Sequence, residues 1–279
     1  MNKNLNPLIA IAFVLLFLAI QMIAQVVVLL AEVIINGHFT NGDLQIDANP
    51  SPTALIVSMA LFSIVAIGLF TTLKWSPVSR RFIETRPWGV LFWCVLASIG
   101  LILPSMYFQE LTMPEQWPDF IQKMIDQAEQ SLTLIMSTTG GYAIICLLAP
   151  IAEELVFRGA VLRVLLEWKP EHRWLMIALS ALLFALAHMN PAQFIHPLLI
   201  GLLLGWMYER TGSVLPGIIY HWINNTVAYL LYHAYPDPDI TLTEVFGSQS
   251  HALMAVGFSL LIVVPSIYQL YLRMRKIEN

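Results

Sequence analysis

At 279 residues, with 58% hydrophobic and only 11% charged, the chain carries less than half the charge of an ordinary soluble domain, about 25%. A water-soluble core could not hide that much apolar side chain, so the composition excludes a soluble protein and points to one that lives in a bilayer. The formal charge of −4 and the lack of a basic run leave no basis for a nucleic-acid partner.

Eight apolar stretches follow one another, at about 8–35, 53–73, 88–108, 135–163, 174–190, 194–209, 214–233 and 251–272. Several run about 17 to 25 residues, enough to cross a hydrocarbon core of about 30 Å as helix, and the sixth is short; the expected fold is an all-α polytopic bundle of about eight spans forming a single membrane domain over 1–279. The first stretch, Leu8 to Ile35, is too long for a signal-peptide core and lacks a small-residue cleavage site, so it is expected to be retained. Residues 36–52, with Asp43, Asp47, Pro50 and Pro52, read as irregular. Residues 109–134 mix Trp117, Phe120, Ile121, Met124 and Ile125 with acids, which suits an amphipathic segment at the interface. Residues 234–250, with Pro236 and Pro238, read as a loop. Cys94 and Cys146, both in apolar runs, suit buried structural thiols and neither a disulfide framework nor a thiolate metal cluster. In the sixth stretch Gly201 and Gly205 stand at helical spacing, where small residues let neighbouring helices approach in lipid.

Lysine and arginine placement tests this parse. With the N-terminus inside, thirteen of the 14 basic residues fall on the inner side and only Lys123 on the outer. An odd number of spans would scatter them. Eight spans with both termini cytoplasmic are therefore expected, in the plasma membrane of a prokaryote.

Ionisable residues within such stretches are expensive in lipid and mark functional candidates. The fourth contains Ala149-Pro150-Ile151-Ala152-Glu153-Glu154-Leu155-Val156-Phe157-Arg158-Gly159. Glu154 and Arg158 are four apart, share a helix face and can form an ion pair. Glu153 is turned about 100° away and needs another partner. A carboxylate so placed suits a group that takes and returns a proton, whereas the bland alternative has both glutamates serving packing and charge compensation. The fifth stretch ends in Phe184-Ala185-Leu186-Ala187-His188, ahead of Asn190-Pro191. The sixth adds His196, near the outer boundary, which reads as an interfacial bystander. In the seventh, His221 and Asn225 share one face and together could donate to a developing oxyanion, or else form a plain interhelical hydrogen-bond pair worth about 0.6–2 kcal/mol. Asn224 points away from that pair and is the weaker candidate. Three stretches together thus supply a base, a second proton-handling group and an oxyanion site, the parts of a hydrolase.

In these motifs the sequence resembles the CAAX protease and bacteriocin-processing family, which includes the type II CAAX prenyl endopeptidases. The shared pattern is Glu153-Glu154…Arg158, Phe184…His188 and His221…Asn225, with Gly201…Gly205 and Thr211-Gly212-Ser213 between, covering roughly 140–230. The resemblance implies an intramembrane endopeptidase in which Glu153 and His188 activate a water while His221 and Asn225 form an oxyanion hole. Glu154 and Arg158 support the site. The mechanism favoured here uses no metal and no other cofactor, and the expected partners are the lipid bilayer and a peptide or protein substrate, with or without a lipid modification. Competing readings are a zinc peptidase with Glu153, His188 and His221 as ligands, a non-catalytic scaffold or bacteriocin-immunity protein, and a transporter. Against zinc, the chain has no His-Glu-x-x-His motif.

Counting at about 1.5 Å per residue sets His221 in the inner half, Glu153 near mid-membrane and His188 further out. A common site needs them level. The expected resolution is that Arg173 and Trp174 lie in an interfacial segment before the fifth span begins, and that Glu153, His188, His221 and Asn225 surround one cavity.

Overall fold

The computed structural model describes residues 6–36, 38–40, 43–45, 50–77, 80–112, 117–236 and 240–274. It is a helical bundle. Its α-helices in chain order are α1 (Asn6–Asn36), α2 (Pro52–Thr72), α3 (Arg80–Glu84), α4 (Trp88–Thr112), α5 (Asp119–Met136), α6 (Ala149–Glu154) and α7 (Arg163–Trp168). There follow α8 (Arg173–Ala187), α9 (Ile195–Thr211), α10 (Leu215–Ala234), α11 (Leu242–Phe246) and α12 (Gln249–Arg273). Two π-helical segments, Ala143–Leu148 and Leu155–Leu162, flank α6, so that 143–168 form one continuous helical rod.

All eight apolar stretches are largely helical, and five regions are long and apolar enough to cross a membrane: Pro7–Ile35, Pro52–Thr72, Trp88–Thr112, Pro191–Thr211 and Gln249–Arg273. The rod, α8 and α10 are the remainder. They carry Glu153, Glu154, Arg158, His188, His221 and the Asn pair, and α8 has only 15 residues. Exposed apolar side chains such as Ile34, Ile35, Leu261 and Val264 coat the outside, as lipid contact requires.

Four expectations change. The stretch taken as 135–163 begins later, because Met136 closes α5 and residues 137–140 turn, and it runs on to Trp168. Arg173 and Trp174 are the first turn of α8 itself, not a separate segment. Within 36–52 a short antiparallel hairpin pairs His38–Thr40 with Asp43–Gln45, while Asp47 lies outside the described residues. The supposed loop 234–250 contains α11, started by a capping box in which Thr241 and Glu244 satisfy each other's backbone N–H groups. The amphipathic segment is α5, which buries Ile125, Ile135 and Met136 and exposes Phe120 and Met124.

Two apolar clusters hold the bundle. One joins α1, α2, the rod and α8 through edge-on rings, Phe17 on Phe62 and on Phe157, and Phe157 on Phe184. The other joins α4, α9, α10 and α12 around Cys94, Ala97, Leu204, Met207, Tyr220 and Leu270. Helices α8 and α9 stitch them together at their glycines. A Cβ on Gly201 would stand 2.9 Å from that of Ala181, and one on Gly205 2.9 Å from Ile177 Cγ2. Only the missing side chains allow this approach.

Candidate active site

Glu153 and Glu154 end α6, the α-helical turn between the two π segments, and their exposures diverge as the helical faces dictate. The Glu154 side chain is 0% exposed and its Oε1 lies 2.6 Å from Arg158 Nη1, itself 1% exposed. The Arg158 guanidinium also sits 4.3 Å from the centre of the Phe184 ring, a cation–π contact. Glu153 keeps 19% of its side chain accessible and borders a cavity of about 390 Å³.

The π turn ahead of α6 has a consequence on the facing helix. The Ala149 N–H reaches back five residues to the Ile144 carbonyl. In that register the Ile145 carbonyl would need the N–H of residue 150, which is proline and has none. Asn225 Nδ2 on α10 donates to it instead, at 2.9 Å. Wide turns of this kind recur at functional sites, and here one ties the glutamate helix to the helix bearing His221 and Asn225.

His188 caps the C-terminal end of α8. Its Nδ1 lies 2.9 Å from the Phe184 carbonyl, an orphan of the last turn. A carbonyl only accepts, so Nδ1 carries the hydrogen, and in the neutral ring Nε2 is then the acceptor. His221 lies between the two glutamates: Nδ1 is 3.3 Å from Glu154 Oε1 and Nε2 is 3.8 Å from Glu153 Oε2. Because Glu154 is the carboxylate of an ion pair, Nδ1 of His221 is the donor there. Phe184 packs edge-on against both imidazoles, with ring centres 4.8 Å from His188 and 6.0 Å from His221. The phenylalanine of that motif is thus a plate touching Arg158 and both histidines. Gly217, one turn before His221, lies so close that a Cβ would come 2.5 Å from Glu154 Oε2.

Glu153, His188, His221 and Asn225 all line the one cavity. Between Glu153 and His188 the discrepancy in depth disappears through helix lengths. Glu153 lies fifteen residues before Trp168, where the rod ends, and His188 fifteen residues after Arg173, where α8 begins. Both therefore stand roughly 20 Å from the same connection.

Two residues set aside in the sequence belong to the same wall. His196 is no bystander and Asn224 does not point away, since both line the cavity. Asn224 Nδ2 is 3.4 Å from His196 Nε2 and 3.3 Å from Asn225 Oδ1, and His196 Nδ1 hydrogen-bonds Ser105 Oγ on α4. This relay fixes the Asn225 amide with its oxygen toward Asn224 and its nitrogen toward Ile145. The signal for His196 was its place in an apolar stretch; its partners come from α4 and α10, which spacing along one helix cannot disclose. Among the described residues, no three His, Cys, Asp or Glu side chains are grouped as a metal-binding set.

Residues 136–227, about a third of the chain, match the family model described as "Type II CAAX prenyl endopeptidase Rce1-like". No curated protein and no solved structure matches the chain. The matched stretch spans the end of α5, the whole rod, α8, α9 and α10 through Asn225, so it contains every residue of the glutamate, histidine and asparagine motifs. Through this segment the chain is similar to the type II CAAX prenyl endopeptidases, membrane peptidases of the CAAX protease and bacteriocin-processing family.

Proposed function

We propose that this membrane protein is a glutamate-dependent intramembrane endopeptidase that works without a metal. The observation carrying the reading is the asymmetry of the two glutamates. Glu154 is sealed by Arg158, while its neighbour Glu153 reaches a cavity whose wall also holds His188, His221 and Asn225.

In this mechanism a water lies between Glu153 and the free Nε2 of His188. Glu153 takes a proton from the water and the resulting hydroxide attacks the scissile carbonyl carbon. Negative charge moves to the carbonyl oxygen. His221, protonated at both nitrogens and held at Nδ1 by Glu154, donates from Nε2 to that oxyanion, and the second Nδ2 hydrogen of Asn225 donates beside it. As the C–N bond breaks, Glu153 returns its proton to the leaving amine. Glu154, itself held by Arg158, keeps His221 oriented.

The substrate in this reading is a peptide or protein, with or without a lipid modification, reached from the bilayer of the plasma membrane. A comparison of peptide termini in membrane and secreted fractions between wild-type and Glu153→Ala cells tests it. Termini that vanish only in the variant are expected; identical terminal profiles would leave the scaffold reading standing. For the purified protein, loss of cleavage with a chelator and its recovery with zinc would replace the metal-free mechanism.

A further inference from the structure

Outside the peptidase site, a cavity of about 450 Å³ opens where the segment before α4 meets the last turn of α12. Arg86 and Arg273 line it, together with Gly89, Leu272 and Met274, and among the described residues no acidic one does. Among the described residues neither arginine makes an ion pair. Arg273 Nε is steadied by a neutral partner, Gln269 Oε1, at 3.0 Å. Gly89 makes room for it: a Cβ there would stand 3.0 Å from Arg273 Nη1. Arg86 has φ 53°, a left-handed conformation rare for a side chain of its size. Two short backbone bonds hold it, Arg86 N–H to the Ile83 carbonyl at 3.0 Å and Trp88 N–H to the Arg86 carbonyl at 2.8 Å. A third guanidinium stands at the same wall, since Arg210 Nε donates to the Met274 carbonyl at 3.2 Å.

Three like charges at one cavity repel each other, and among the described residues no acidic side chain lines it to offset them, the Arg210 charge being met by the Tyr271 ring. A guanidinium fork is matched by the oxygens of a phosphate, which accept two parallel bonds at once. The surroundings favour a phosphate attached to a lipid. Trp88, Tyr271 and Leu272, all exposed, flank the cavity at the ends of two helices long and apolar enough to cross a membrane. Aromatic rings beside basic residues at such ends mark the headgroup level. We propose that Arg86 and Arg273 bind the phosphate of an anionic phospholipid here, with Arg210 adding charge from the Met274 side. The site is independent of the peptidase reading.

Native mass spectrometry of the full chain released from mixed phosphatidylglycerol–phosphatidylcholine nanodiscs tests this. Wild type is expected to retain phosphatidylglycerol in preference to phosphatidylcholine, and the Arg86→Gln/Arg273→Gln pair to retain at least tenfold less. A control pair remote from the cavity, Lys123→Gln/Lys169→Gln, should retain as much as wild type. Equal retention by the arginine pair, equal loss in the control pair, or phosphatidylcholine held as well as phosphatidylglycerol would each overturn the proposal. Thermal unfolding in detergent guards against a folding defect. If the Gln pair unfolds early, Arg86→Lys/Arg273→Lys, which keeps the charge and loses the forks, decides: several-fold weaker retention supports the site and unchanged retention refutes it. Inorganic phosphate displacing the lipid at equal concentration would assign the site to a free anion instead.

Discussion

Glu153 and Glu154 are neighbours in sequence and differ in almost everything else. Glu154 is fully buried, ion-paired to Arg158 and hydrogen-bonded by His221 Nδ1; Glu153 is partly open to a cavity and makes its closest charged contact at 3.8 Å. One carboxylate faces into the bundle and the other into the cavity. In the proposed mechanism, a rotation of about 100° along one helix separates a structural role from a chemical one.

Substitution at Glu153 should give the largest effect. Glu153→Gln keeps the shape and removes the base, so turnover of a cleaved peptide should fall about 10²–10⁴-fold while thermal stability stays at the wild-type level. A loss of stability without loss of turnover would reverse the roles assigned to the two glutamates. The sealed side should respond in the opposite way. Arg158→Met leaves the Glu154 carboxylate buried beside an apolar chain, and breaking such a pair typically costs about 3–5 kcal/mol. Denaturation in detergent should show that loss, and the Glu154→Gln/Arg158→Met double variant should recover part of it, because no uncompensated charge remains.

Asn225 stands on the border between the two sides. Its amide already holds the Ile145 carbonyl, so Asn225→Ala should lower stability by about 1–3 kcal/mol by orphaning that group. If the amide also serves the oxyanion, turnover per folded molecule should drop a further 10²–10³-fold. Asn224→Ala, which frees the Asn225 amide without removing it, should lower turnover less than Asn225→Ala does. Equal turnover per folded molecule in wild type and Asn225→Ala would confine that residue to the sealed, structural side.

How much of this was legible in the sequence follows from which contacts are local. The Glu154–Arg158 pair joins residues four apart, and the helical face argument alone separates Glu153 from it. The Gly201 and Gly205 approach was likewise readable from spacing. The π turn ahead of α6 was not, since the Ile145 carbonyl that it leaves facing the donor-less Pro150 is taken up by Asn225 of another helix. His196 and Asn224 were misjudged for the same reason: their partners lie on α4, α9 and α10, 28 and 91 residues apart along the chain. The depth mismatch between Glu153 and His188 came from ending the fourth span at 163, five residues short of where the rod closes.

A third carboxylate supplies the baseline for the other two, with the smallest expected effect. Glu244, on the short helix α11, is fully exposed and accepts from the Thr241 N–H at 2.8 Å and from Thr241 Oγ1 at 2.9 Å. These bonds to its charged form hold its pKa below the ordinary glutamate value of 4.5, the backbone bond contributing most. A group with a depressed folded pKa stabilises the fold above its unfolded pKa, and that contribution disappears as pH falls through the folded value. Hydrogen exchange at residues 241–245, corrected for intrinsic rates, should therefore quicken below about pH 4.5 relative to neutral pH. Glu110 accepts from the Leu242 N–H at 2.6 Å and also carries a carboxylate, so a second variant is needed to separate them. Glu244→Gln cannot lose a charge, and its exchange should change with pH only through Glu110. Identical pH dependence in wild type and Glu244→Gln would assign the whole effect to Glu110, leaving the cap of α11 indifferent to charge.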